Sequence, residues 1–422
     1  MQSMLNRGKM RQMSVQSKRH HGLCVKQHKP LDLEGFMNKC GKRYNVRLCL
    51  LAGLLLIAML CTACGKKKST EEPTNAPTES LPTTQAATPT MTNTPTPTEE
   101  PTPTFTPTPT PDPHAGMFRS DLTNEWITED IKNQRPVAVM INNILWAVPS
   151  SDTRAAGVIY ECKVEGNITR YLCIFEDWES LTKIGSVRSA RSYYVNWALE
   201  WDSIFMHYGG STYGYDKVYS SKIDHLDGMF LEGIVYYRTS DRQAPHNAYA
   251  SGKGIAAGIE RQKYSRTHTD KYQGQHFRFA PDDNPTTFMN GITANTVKPG
   301  YQENHPWFEY NPDDGLYYRF EYGEKEVDQF TKEQLTCKNI IIQFCQSSVR
   351  DDKGYKAFTT VDSGKGGYFI TNGKAVPITW SKSDDNAITK YYYENGTEIA
   401  LNTGKTWILV VRQQDRGDVV IE

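Results

Sequence analysis

Pro136-Val-Ala-Val-Met-Ile-Asn142 is a short apolar run with no charge in it, closed by two asparagines, and it reads as a buried strand. The neighbouring sequence sets what that strand pairs with. Val158–Val164 and Ile168–Phe175 read as two more strands joined by a tight turn at Gly166-Asn167. From Ser186 to Trp201 the period changes: Val187, Ala190, Tyr194, Trp197, Ala198 and Trp201 fall three and four apart, which predicts a helix with one buried face. Ser203–Tyr208 predicts a further strand, ending in Gly209-Gly210-Ser211, with helices expected over Tyr213–Lys222 and Gly254–Lys263. Helices mixed with strands, two of them in a hairpin, predict a mixed α/β domain over residues 114–270.

Beyond residue 270 the pattern is different. Trp307–Tyr310, Leu316–Tyr322, Asn339–Phe344, Gly367–Ile370, Ala375–Trp380, Ile388–Tyr393 and Thr406–Val411 are short aromatic and β-branched runs. Turn-forming stretches such as Asn311-Pro-Asp-Asp-Gly315 and Glu394-Asn-Gly-Thr397 separate them. This predicts a mostly antiparallel β domain over 271–422, so the expected class of the whole is α+β.

The first 113 residues are not expected to join that fold. Leu48–Cys61 is 14 residues without a charge. That is short for a membrane span of ~20 residues but suits the apolar core of a signal peptide. Lys39, Lys42, Arg43 and Arg47 precede it, and Thr62-Ala63-Cys64-Gly65 follows, resembling a lipobox with Cys64 as the lipidated residue. The signal peptide is expected over 37–64, starting at Met37, with 1–36 an upstream extension of the reading frame. Residues 65–113 hold 16 Thr and 12 of the chain's 22 Pro, the composition of a disordered spacer, with or without glycans. Residues 114–422 carry 34 Lys+Arg against 40 Asp+Glu, a net charge of −6, which excludes a general nucleic-acid binder.

Several motifs resemble those of the YerB-type bacterial lipoproteins: Arg135–Asn142, Val158-Ile-Tyr-Glu161, Val164–Arg170, Ile184–Arg191, His207–Ser211, Ala244-Pro-His-Asn247 and Gly404-Lys-Thr-Trp407. They run in order through nearly all of 130–415. The resemblance implies a lipoprotein of a Gram-positive-type bacterium with an N-terminal and a C-terminal family domain. It implies no activity. One departure is Asn143, where an Asn-His pair is common.

The residues with chemistry to offer are few. Gly185–Arg191 is expected at a loop-to-helix junction, where unpaired N–H groups favour an anion. Arg188 and Arg191 would share one helix face there, with Ser186 capping the helix or touching the same anion. The alternative is that the arginines pair internally with Glu161 or Glu165. His207, Ser211 and Asp202 supply the residue types of a hydrolase triad, but no Gly-x-Ser-x-Gly elbow is present. Arg242, His246 and Asn247 form a polar cluster around Pro245. With His207, Asp224, His225 and Asp227 they might ligate a metal, yet no metal-binding spacing appears and neither metal nor cofactor is expected. Cys162, Cys173, Cys337 and Cys345 are expected as buried thiols, with a Cys162–Cys173 pair across the turn as the alternative.

The resulting expectation is a protein lipid-anchored on the extracytoplasmic face of the cell membrane. Its body binds an anionic glycopolymer or an envelope protein through Ser186, Arg188, Arg191, His207, Ser211, Arg242, His246 and Asn247. An envelope-acting hydrolase or transferase, and a purely structural envelope protein, stand as alternatives.

Overall fold

The computed structural model describes residues 112–422. The leader, Cys64 and all but the end of the Thr-Pro stretch lie outside the described residues. Among the described residues no helix is long and apolar enough to cross a membrane.

The molecule is mostly β with a few helices, and one eleven-stranded sheet organises it. The first half of the chain contributes β1 (Val137–Asn142), β2 (Val158–Lys163), β3 (Thr169–Phe175), β4 (Ile204–His207) and β5 (His225–Asp227). The second half adds β6 (Ile292–Thr293), then β10 (Asn339–Cys345), β11 (Asp362–Thr371), β12 (Lys374–Lys382), β13 (Lys390–Tyr393) and β14 (Thr406–Arg412). Between these come β7 (Thr296–Lys298), β8 (Trp307–Asn311) and β9 (Leu316–Glu321), which belong to a separate six-stranded sheet. The order across the large sheet is β6-β12-β11-β10-β14-β2-β3-β1-β4-β5, with β13 on β12. The two halves therefore share one sheet. Their seam is the β14–β2 pair, which is parallel with Thr406 opposite Val158 and Val410 opposite Cys162. β4 is parallel to both β1 and β5, and β10 to β14, while the other strand pairs within the second half are antiparallel as its turns predict.

The central strands are buried along their whole length, the mark of a sheet covered on both faces. Successive side chains enter opposite cores. Val137, Val139 and Ile141 join one cluster with Ile340, Ile342, Trp407 and Leu409, while Ala138 and Met140 join the other with Ile341, Ile408 and Val410. Each such side chain contributes ~1.5–3 kcal/mol by leaving water. The second core is roofed by Tyr193, Tyr194, Trp197, Ala198 and Trp201, as their spacing predicts. Cys162, Cys173, Cys337 and Cys345 are all free and buried.

The helix carrying those aromatics is shorter than its periodicity suggests: α1 spans Ser192–Leu199. Residues 185–191 are extended instead. The Arg188 N–H donates to the Met140 carbonyl at 2.8 Å, the Asn142 N–H to the Ser186 carbonyl at 2.9 Å, and the Val187 N–H to the Ala248 carbonyl at 2.7 Å. These pairings use backbone groups that a helix would bond internally, so coiling starts only after the segment leaves β1. Elsewhere α2 (Thr212–Ser221) and α3 (Gly252–Gln262) lie close to their expected positions.

A buried ionic network bridges the two halves near the end of β1. The fully buried Arg319 meets Glu161 at 2.9 Å, Glu326 at 3.1 Å and Glu321 at 3.6 Å. Burial, joined by the neighbouring Glu161, holds the Glu326 carboxyl up to about 7 although Arg319 opposes it. Asn143 donates to Thr169 Oγ1 at 2.7 Å in this network, and its carbonyl accepts from Tyr322 at 3.1 Å. The network thus fixes the segment that leads from β1 into the site described next.

Candidate functional site

The extended course of 185–191 decides the geometry. Arg191, three residues on from Arg188, stays close enough to act on its charge but turns its guanidinium to Glu165. The helix N-terminus expected to hold an anion is therefore not formed by Ser186 or Arg188, and Arg188 and Arg191 do not share a helix face.

Arg191 is satisfied internally. Its Nε donates to both oxygens of Glu165 at 2.9 and 3.0 Å, and Nη2 donates to Oε2 at 2.5 Å. Burial opposes its charge, but Glu165 outweighs burial and its pKa is raised. This is the internal-pair alternative, with Glu165 rather than Glu161 as the partner.

Arg188 is not. Its polar contact is a long bond from Nη1 to the Pro245 carbonyl at 3.3 Å, and among the described residues no carboxylate pairs with it. Its buried Nε has no partner. Burial, then Arg191 and Arg238, pull its pKa down. The buried Ser186 Oγ, two residues earlier in the chain, is also unpartnered among the described residues.

Close to Arg188 lies Arg170 on β3, which sequence reasoning did not single out. It is buried, its Nη1 donates to the Ser189 carbonyl at 2.6 Å, and its Nε is unpartnered. Burial, followed by Arg191 and Arg188, draws its pKa to about 9. An arginine in an otherwise apolar, aromatic run, Ile168-Thr-Arg-Tyr-Leu-Cys173, was the available signal.

The Arg242–Asn247 segment closes the other side. Arg242 donates to the Ala147 and Pro149 carbonyls at 2.5 and 2.6 Å and to the Tyr249 hydroxyl at 3.1 Å, tying this segment to the turn after β1. Asn142 Nδ2 donates to His246 Nδ1 at 2.9 Å, which leaves the ring proton on Nε2. Burial, then Arg188 and Arg242, lower the His246 pKa. Asn247 Oδ1 accepts from Arg238 at 3.0 Å, and Arg238 in turn pairs with Glu232 at 3.3 Å. Ser186, Arg188, Arg242, His246 and Asn247 thus come together with Arg170 and Arg238. Three donors among them, at Ser186, Arg188 and Arg170, have nothing to donate to.

His207 and Ser211 are occupied elsewhere. His207 is buried between the Gly209 carbonyl, at 2.8 Å from Nδ1, and His225 Nδ1, at 3.1 Å from Nε2. Burial holds its pKa at about 4 even though Asp227 pulls the other way. Ser211 Oγ caps α2, accepting from the Gly214 N–H at 3.0 Å. Asp202 accepts from Thr269 N and Oγ1 at 2.6 and 2.7 Å. Nucleophile, base and orienter are each committed to different partners, so the triad reading fails. The Asp227 carboxylate accepts from Gly209 N, Met229 N and Tyr215 OH. Among the described residues no set of three His, Cys, Asp or Glu side chains is placed to hold a metal ion.

Known proteins resemble the chain over these same elements. Residues 122–265 match the family described as "Protein of unknown function (DUF3048) N-terminal domain", and residues 296–408 match its C-terminal domain. The chain is 28% identical to "Putative lipoprotein YerB" of Bacillus subtilis (strain 168) over 314 residues, covering 72% of this chain and 89% of that protein. The crystal structure of the Bacillus subtilis YerB protein matches with a TM-score of 0.62 at 26% identity, covering 72% of this chain and 99% of that one.

Proposed function

The chain belongs to the YerB-type (DUF3048) family, and from that premise we propose that it is a lipid-anchored protein of the extracytoplasmic membrane face whose body binds an anionic envelope ligand. The ligand's acidic group sits against Arg188, with Ser186 and His246 beside it. One observation carries this reading: in a body with a net charge of −6, the half-buried Arg188 has no carboxylate against it among the described residues, and its buried Nε is unpartnered there. A guanidinium partly withdrawn from water gains from an anion, and its fork suits phosphate or carboxylate. The lipidation signal at Cys64 and the Thr-Pro stretch support a tethered body that reaches its ligand at a distance from the membrane.

Thermal unfolding tests the reading. Phosphate or sulfate should stabilise the folded state by mass action, by ~2.7 kcal/mol at a hundredfold excess over Kd, and so raise the melting temperature. Arg188→Gln should abolish that response while the protein stays folded. An unchanged response in Arg188→Gln would place the anion elsewhere.

A further inference from the structure

Trp146 stands out on the surface next to this cluster. It is 71% exposed on the short turn Leu145–Ala147, flanked by Leu145 at 51%. An exposed tryptophan is unusual because the ring is the largest apolar side chain a protein can bury. Trp126, the other exposed tryptophan, is covered by its own neighbours, His114 stacked at 4.3 Å and the Arg119 guanidinium at 3.8 Å. Among the described residues no ring or cation stacks on Trp146. The turn itself is held firmly: Ala147 is fully buried, and its carbonyl and that of Pro149 both accept from Arg242. The residue that pins the turn is therefore a member of the arginine cluster, which also lowers the pKa of His246.

We infer that Trp146 is a stacking platform for a pyranose ring whose phosphate occupies the Arg188–His246 site, so that the ligand class is a sugar phosphate. The inference rests on the anion-site reading proposed above and adds the sugar to it. A pyranose presents a flat face of C–H groups that packs on an indole, while its hydroxyls stay in water. A turn whose backbone is already pinned needs little ordering on binding, so stacking adds affinity without a large backbone entropic cost. The arginines supply the charge recognition that the indole lacks.

Calorimetric titration of the whole protein with inorganic phosphate, methyl phosphate and glucose 1-phosphate separates the parts. Glucose 1-phosphate should bind about tenfold tighter than methyl phosphate, a difference of ~1.4 kcal/mol. Trp146→Ala should remove that preference and leave the affinity for inorganic phosphate unchanged, and Trp146→Phe should keep part of it. Equal binding of the two esters, or a Trp146→Ala variant that weakens all three ligands alike, would overturn the sugar platform while leaving the anion site standing. No heat with any of the three would overturn both.

Discussion

Arg188→Gln and Arg191→Gln, three residues apart, should have opposite consequences for the unliganded protein. Arg191 is 9% exposed and holds Glu165, 21% exposed, through three short contacts. Its removal leaves a largely buried carboxylate without a partner and takes a donor from the Ala190 carbonyl at 2.8 Å. Breaking a fully buried pair costs ~3–5 kcal/mol. Because Glu165 keeps some contact with water, about 3 kcal/mol is expected, a fall in melting temperature of roughly 5 °C for a body of this size. Arg188 gives up a single 3.3 Å bond and no carboxylate, while Gln relieves its repulsion with Arg191 and Arg238. That substitution should lie within ~1 kcal/mol of neutral, or stabilise. Urea unfolding of both variants in anion-free buffer reads the difference. Equal, large losses would mean that Arg188 is a structural residue, and the reasoning that leaves it for a ligand would be refuted.

The remaining predictions concern protonation and the tether. His207 is held near 4 against an unfolded value of about 6.5, so the unfolded state takes up its proton first as pH falls. That stability is fully present above pH ~6.5 and should be lost between there and pH ~4, by about 3 kcal/mol; in His207→Gln the slope of urea stability against pH over this window should flatten. His246 is also depressed, by burial and by Arg188 and Arg242, and a bound anion would favour its charged form. The affinity for sulfate, which stays a dianion, should therefore rise as pH falls and His246 takes up its proton, and His246→Gln should lose that dependence in the same titration. Cys64→Ala should release the protein from the membrane fraction; retention of that variant with release of Cys61→Ala would mean the other cysteine carries the lipid.

Much of the fold was legible in the sequence because the signal was strong where burial is complete. The runs at Val137–Asn142, Asn339–Cys345 and Thr406–Arg412 have no polar alternation and could only be interior strands. What was not legible is pairing across long separations. Nothing in Thr406–Arg412 announces that it lies parallel to Val158–Lys163, about 250 residues earlier, yet that pair makes one sheet of the two halves. The error at Ser186–Trp201 has the same origin. Val187 and Ala190 fit a helical stripe, but contacts with Met140, Asn142 and Ala248 take the segment's backbone bonds first. For the site, Arg188, Arg242 and His246 were legible as polar residues concentrated beside glycine and proline. Arg170 and Trp146 were not, since one is hidden by its apolar strand and the other matters only for how far it is exposed.

The central claim is that an anion completes the donor set around Arg188. Soaking crystals of the protein in tungstate, whose metal scatters strongly enough to be located unambiguously, tests it most directly. The account predicts an anomalous peak with its oxygens within hydrogen-bond distance of Arg188 and Ser186, lost in Arg188→Gln crystals. Tungstate bound only at other surfaces, with Arg188 Nε still unpartnered, would contradict it.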